Sequence, residues 1–302
     1  MTPGCLELDD LDPTRVTRIL EHAQHWKEQP STLPRVLEGF GVAALFQKPS
    51  ARTRSSVEMA VATLGGHPIY IRPEEVDLDV REPVEDVART LASYVRIISA
   101  RVFSHHTLER MAAAVDVPVV NLLSDAGHPV QALADLLTLR ERFGSVEGRR
   151  LAYVGDGNNV AASLAFAAAM SGLELVVASP PGYELDQQVV DRARNLGAVV
   201  DLVSDPYDAV RGADAVYTDT WTSMGQEQER ELRLRAFDGW TIDAALMKLG
   251  APDAVFMHCL PAHRGEEVAA EVIDGPQSVV WEQTENRMHS VRALFVELVE
   301  AP

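Results

Sequence analysis

The chain is 302 residues long, and 45 acidic against 27 basic side chains leave a net charge of −18. That balance argues against a nucleic-acid binder, which needs a basic face, and no run of eighteen apolar residues is present to span a membrane. Hydrophobic residues make up 46% of the chain, enough for the cores of two ordinary domains, and only two cysteines occur, Cys5 and Cys259. So few cysteines favour a reducing compartment, the cytoplasm, over a disulfide framework. Met1 to Glu7 lacks a basic segment followed by an apolar one, so no leader peptide is read.

In chain order, periodicity predicts a helix over Thr14–Lys27, a strand over Gly41–Phe46, a helix over Arg52–Leu64 and a strand over Pro68–Ile71. A charged, proline-bearing mobile loop follows over Arg72–Val84. Then come a helix over Val84–Tyr94, a strand over Ile97–Arg101, a helix over Thr107–Val115, a strand over Val117–Asn121 and a helix over Gln131–Arg142. The second half predicts strands at Arg150–Val154, Glu174–Ala178, Val199–Val203, Ala215–Thr218, Ala254–Met257 and Ser278–Val280. Helices at Val160–Ser171, Asp186–Leu196, Tyr207–Arg211 and Thr241–Leu249 separate them. The alternation implies an α/β protein of two similar-sized domains, each a parallel sheet with helices on both faces. Phe143 to Gly148 is the expected junction, giving domains 1–143 and 148–285, with the last helix, Asn286–Val299, returning to the first.

Lys48-Pro49-Ser50-Ala51-Arg52-Thr53-Arg54 lies between the first strand and its helix, with Ser50 the expected N-cap. A helix N-terminus carrying Arg, Ser and Thr suits a phosphate or a carboxyl phosphate. In an acidic chain, such an arginine cluster has a local reason. The alternative is a capped helix with two solvated arginines. His128-Pro129-Val130-Gln131 opens an apolar helix, and the proline keeps His128 out of helical geometry. Taken alone, His128 reads as an ordinary polar loop residue and Arg101, at the end of its strand, as a surface cation.

Leu151-Ala152-Tyr153-Val154-Gly155-Asp156-Gly157-Asn158-Asn159-Val160 resembles a dinucleotide fingerprint but fails on two points. Val160 stands where a third glycine belongs, and the next strand ends in Ser179-Pro180 without a ribose-binding acid. No nucleotide cofactor is therefore expected, although the two asparagines end a strand where open α/β sheets bind small ligands. Asp219 follows another strand, and Ser223-Met224-Gly225 could form a hinged flap; a helix-capping Asp in a plain loop is the alternative. His258-Cys259-Leu260-Pro261-Ala262-His263 admits three readings. They are a metal site, disfavoured by the lack of a second cysteine, a Cys/His nucleophile pair, and a cysteine that lines a ligand pocket.

Ser50-x-Arg-Thr-Arg54, His128-Pro-x-Gln131, Asp219-x-x-x-Ser-Met-Gly225, His258-Cys-Leu-Pro261 and Glu285-Asn-Arg287 together resemble the aspartate/ornithine carbamoyltransferase family, in its order and over nearly the whole chain. Ser-Met-Gly with His-Cys-Leu-Pro resembles its ornithine branch. The resemblance implies transfer of a carbamoyl group from carbamoyl phosphate to the side-chain amine of L-ornithine, giving L-citrulline and phosphate, with no metal and no cofactor. Ser50, Ala51, Arg52 and Thr53 would hold the phosphate, joined by Arg101. His128, Gln131, Thr53 and Arg101 would surround the carbamoyl group, with Cys259 and Leu260 in contact and Arg287 closing the site. Asn159, Asp219, Ser223 and Met224 would bind ornithine. Arg101, His128, Asp219 and Cys259 would be the catalytic groups. It further implies a homotrimer with active sites shared between subunits; arginine biosynthesis and arginine breakdown would use the same residues. Two positions depart from the pattern: Ala51 replaces a common threonine, and Glu75 to Asp79 is acidic where relatives place a Gln or His. Asp77 there would repel a phosphate, so no cross-subunit phosphate contact is expected, while Glu82 still matches.

Overall fold

The computed structural model describes residues 4–222 and 227–300. The chain divides into two compact units, Met1–Leu137 with Asn286–Pro302, and Thr138–Glu285.

The first unit begins with α1, Pro13–Glu28, capped by Asp12, whose side chain accepts the Arg15 N–H at 2.9 Å. Its buried residues, Val16, Ile19, Leu20, Ala23 and Trp26, recur at helical spacing on one face. There follow β1 (Gly41–Phe46), α2 (Ala51–Thr63), β2 (His67–Ile71), α3 (Pro73–Val76), α4 (Val84–Ala92), β3 (Val95–Arg101), α5 (His105–Ala114), β4 (Val119–Leu123) and α6 (Pro129–Phe143). The four strands form a parallel sheet in the order β2-β1-β3-β4. β1 is buried from Val42 onward because it is flanked on both edges and covered by helices. The chain leaves β1 toward β2 on one side and returns to β3 on the other. The ends of β1 and β3 are thus the switch point at which open α/β sheets take ligands. The free edge of β4 is covered by Cys5, which exchanges hydrogen bonds with Val119 and Asn121.

The second unit contains β5 (Arg150–Val154), α7 (Asn159–Ser171), β6 (Glu174–Ala178), α8 (Gln187–Asn195), β7 (Val199–Val203), α9 (Pro206–Val210), β8 (Ala215–Thr218), α10 (Arg230–Ala236), α11 (Ala244–Met247), β9 (Val255–His258), α12 (Ala270–Ile273) and the start of α13 (Val280–Glu300). Its parallel sheet runs β7-β6-β5-β8-β9, with the switch point between β5 and β8. α7 is buried almost all round, which its alanine-rich composition allows. Trp221 stacks on Phe237 at 5.2 Å in the core. Gly157 is required by packing: a Cβ there would collide with the backbone of Glu184 and Leu185.

Three expectations are corrected. Ser278–Val280 is no strand: Ser278 makes one bridge to Phe256, and Val280 already opens α13. A short β-branched run cannot by itself tell a strand from a helix start. The last helix accordingly begins six residues before Asn286. The Arg72–Val84 loop is locally folded: it contains α3, a Leu78–Glu82 bridge and Asp79, which is held to Arg110 at 2.6 Å. α10 and α12 lack an apolar stripe long enough to announce them.

Candidate functional site

In the first unit, Ser50 caps α2 with an extended backbone (φ −159°), its Oγ accepting the Thr53 N–H at 3.3 Å. The remaining first-turn N–H groups and the positive helix end face outward there. Ala51 and Arg52 are exposed on that turn. Arg54 is engaged elsewhere: its Nε donates to Glu58 at 2.8 Å, and its guanidinium lies 3.8 Å from the Tyr70 ring centre. Phe46 and Arg101 are partners in the β1–β3 register, which brings the buried Arg101 beside the exit of β1.

Thr53, His128 and Gln131 are buried and converge on Arg287 of α13. Arg287 Nη2 donates to Thr53 Oγ1 at 3.4 Å, while Nη1 donates to Gln131 Oε1 and lies 3.4 Å from His128 Nε2. Gln131 Nε2 in turn donates to Asp135 Oδ1 at 2.8 Å. Ser50 Oγ donates to Thr53 Oγ1 at 3.2 Å. Burial, then the charges of Arg287 and Arg101, hold His128 well below the usual imidazole range. The first unit therefore gathers arginines, hydroxyls, a neutral imidazole and a helix N-terminus, a donor set suited to a phosphate dianion and a polarised carbonyl.

In the second unit, Asn158 follows β5 and Asp219 follows β8, at the switch point. Asp219 is buried; its Oδ1 accepts the Cys259 thiol at 3.0 Å and its Oδ2 accepts the Asn158 amide at 2.9 Å. Asn159 is the half-buried first residue of α7. Leu260, directly after Cys259, adopts a left-handed backbone (φ 59°), a strained geometry for a branched residue. Ser223 and Met224 lie outside the described residues.

The His258–His263 segment begins at the last residue of β9. The Leu260 N–H donates to His258 Nδ1 at 2.8 Å, so the ring proton sits on Nε2, 3.3 Å from Glu267 Oε1. Asp219, His258 and Cys259 each bring one donor atom within 4.8 Å of the others, but both His258 nitrogens are committed. The Cys259 thiol donates to the Asp219 carboxylate, an arrangement in keeping with a cysteine that lines a ligand pocket.

The prediction missed Asn158 as the partner of Asp219, Asp135 as the partner of Gln131, and the buried Arg233–Asp156 pair at 2.7 Å. The i,i+4 spacing of Gln131 and Asp135 on a helix was a usable signal; the Arg233–Asp156 pair had none.

The description "Aspartate/ornithine carbamoyltransferase, carbamoyl-P binding domain" matches residues 4–141, and the Asp/Orn binding domain of the same enzymes matches residues 147–298. An ornithine carbamoyltransferase of Acidothermus cellulolyticus is 50% identical over 302 residues, covering 97% of this chain and 95% of its own. The solved ornithine carbamoyltransferase of Thermus thermophilus superposes with a TM-score of 0.91 at 44% identity, over 99% of this chain and all of that one. The solved Pyrococcus furiosus enzyme gives 0.93 at 46% identity, over 97% of this chain and 96% of its own. Matched along both units, this chain belongs to the aspartate/ornithine carbamoyltransferase family.

Proposed function

We propose that this chain is an ornithine carbamoyltransferase, converting carbamoyl phosphate and L-ornithine to L-citrulline and phosphate. The observation that carries the reading is the convergence of Thr53, His128 and Gln131 on the Arg287 guanidinium, beside the Ser50-capped helix. The first unit is the carbamoyl phosphate side, with Ser50, Ala51, Arg52, Thr53 and Arg101 on the phosphate. The second is the ornithine side, with Asp219 and Cys259 toward the side-chain amine and Asn159, Ser223 and Met224 on the rest of the amino acid.

The neutral amine attacks the carbonyl carbon, forming a C–N bond as the electron pair moves onto the carbonyl oxygen. Arg101, His128 and the Thr53 hydroxyl donate to that oxygen, as oxyanion-hole groups do. Collapse of the tetrahedral species breaks the C–O bond to phosphate, which leaves as an anion stabilised by Arg52 and Arg101. Asp219 and Cys259 orient the amine, which gives one proton to solvent before attack and passes a second to the departing phosphate after it. Fixing both substrates supplies much of the acceleration.

The finer reading is a cytoplasmic homotrimer. Two free cysteines are in keeping with a reducing compartment, and no helix of the described residues is long and apolar enough to cross a membrane. The Pyrococcus furiosus relative is named an anabolic ornithine carbamoyltransferase, which supports a role in arginine biosynthesis.

The test is citrulline formation from carbamoyl phosphate and ornithine, with putrescine, N-acetylornithine and aspartate in parallel, and sedimentation equilibrium for the assembly. Ureido product from ornithine alone supports the reading. Preference for another amine overturns the acceptor, and inactivity of folded protein toward all four overturns the reaction.

A further inference from the structure

Both oxygens of Asp219 are engaged by the chain itself, one by the Cys259 thiol and the other by the Asn158 amide. Asn158 is not a residue that the substrate reading uses. Its own carbonyl oxygen is ringed by donors: the Tyr153 hydroxyl at 3.2 Å, the Val160 N–H at 2.9 Å and the Ala161 N–H at 3.4 Å. A side-chain amide has one acceptor end and one donor end. Three donors on the oxygen leave a single orientation, with the NH2 turned to Asp219. Tyr153 is fully buried in β5, 5.8 Å from the Tyr217 ring. Burial first, then the negative charges of Asp219 and Asp156 and the Cys259 thiol, push its phenol well above its ordinary range, so the hydroxyl stays a donor.

We propose that Asn158, its amide orientation locked by Tyr153, is the positioning residue for Asp219. It fixes the carboxylate so that each oxygen keeps a lone pair for an amine held beside Cys259. The remaining titratable groups around Asp219 are Asp156, which is met by Arg233 at 2.7 Å, and His258, which is committed to the Leu260 N–H and Glu267. The identity of the amine rests on the ornithine reading; the coupling of Asn158 to Asp219 and Cys259 can be measured without substrate.

The experiment compares the full chain with Asn158→Asp, Asn158→Ser and Tyr153→Phe. Aspartate and serine both keep the cap of α7, so the fold survives the change. The first readout is the pH dependence of Cys259 alkylation by iodoacetamide, Cys5 being buried and protected. A second carboxylate beside Asp219 in Asn158→Asp raises the alkylation midpoint by about one pH unit. Asn158→Ser and Tyr153→Phe move it the same way by less. The second readout is citrulline kinetics: Asn158→Asp raises the ornithine KM about tenfold while the carbamoyl phosphate KM stays within roughly twofold. In Asn158→Ser and Tyr153→Phe, which add no charge, a merely structural role would lower the melting temperature and leave the thiol midpoint in place. Unchanged midpoint and unchanged ornithine KM in folded Asn158→Ser overturn the proposal. Shifted midpoints in a protein that makes no citrulline uphold it and overturn the substrate reading instead.

Discussion

Arg287 and His128 stand 159 residues apart in the chain, yet Arg287 Nη1 lies 3.4 Å from His128 Nε2. A guanidinium only donates, so the ring offers it a lone pair and keeps its one proton on the other nitrogen. Together with burial, the cation holds the imidazole neutral. On the proposed carbamoyl-transfer reading, a neutral imidazole can donate its one N–H to a growing oxyanion without surrendering the proton.

That neutrality makes stability depend on pH. The unfolded histidine titrates near 6.5 and the folded one well below. Between those values only the unfolded chain binds the proton, so stability is lost as pH falls below about 6.5. Glu297 acts at lower pH. Burial raises its carboxyl, but hydrogen bonds from Arg18 and Arg15 outweigh this and leave it below the usual glutamate range. Its contribution is complete above about 4.5 and fades as pH drops through the folded value. Urea unfolding between pH 8 and 4 should show a first decline below pH 6.5 that is absent in His128→Asn. A decline of the same size in that variant would refute the assignment to His128.

Arg52 is exposed on the open first turn of α2, so its loss costs little stability. On the proposed reading, Arg52→Ala removes one charge-assisted bond to phosphate, about 1.5–3 kcal/mol. The carbamoyl phosphate KM should rise about 10- to 100-fold, with the melting temperature unmoved. Ala51→Thr adds a hydroxyl on the same turn and should lower that KM about fivefold, the worth of one further hydrogen bond. A variant Arg52→Ala with wild-type KM would place the phosphate elsewhere.

Cys259 Sγ donates to Asp219 Oδ1 at 3.0 Å, and a serine can make the same bond with a shorter reach. Cys259→Ser should raise the ornithine KM about fivefold, a loss of about 1 kcal/mol, without changing the carbamoyl phosphate KM. Steady-state kinetics with each substrate varied in turn decides this. Equal changes in both constants would mean that Cys259 serves the fold rather than the amine.

What could be read from the sequence is local. The strand before Ser50, the cap and the stripe after it lie within some twenty residues, and so β1, the Ser50 cap and α2 follow from period and propensity. The strand ends that carry Arg101, Asn158 and Asp219 were legible for the same reason. The partners of those residues were not. Asn158 is engaged by Asp219, 61 positions on, and Arg233 is buried by Asp156, 77 positions back. Such pairings are set by strand order, which no periodicity encodes. The start of α13 was missed because Val279-Val280 reads as strand until the helix behind it is seen to begin there.

The Arg233–Asp156 pair yields the largest predicted loss of stability. Their side chains are 9% and 12% exposed, and Arg233 also donates to the Trp221 carbonyl at 3.1 Å and to Glu229 at 3.0 Å. It therefore ties α10 to the residues just after β5 and β8. Arg233→Met strands a buried carboxylate and should cost about 3–5 kcal/mol in urea unfolding. The double change Arg233→Met with Asp156→Asn should restore part of this, giving a coupling measurable by a double-mutant cycle. Burial raises Asp156 above the usual range even beside the cation that opposes it. Without the cation its folded pKa rises further, so the stranded carboxyl is penalised while charged and relieved once protonated. The deficit of Arg233→Met should thus shrink as pH falls from 8 to 5. A deficit that is independent of pH and of residue 156 would show that Arg233 acts through packing alone.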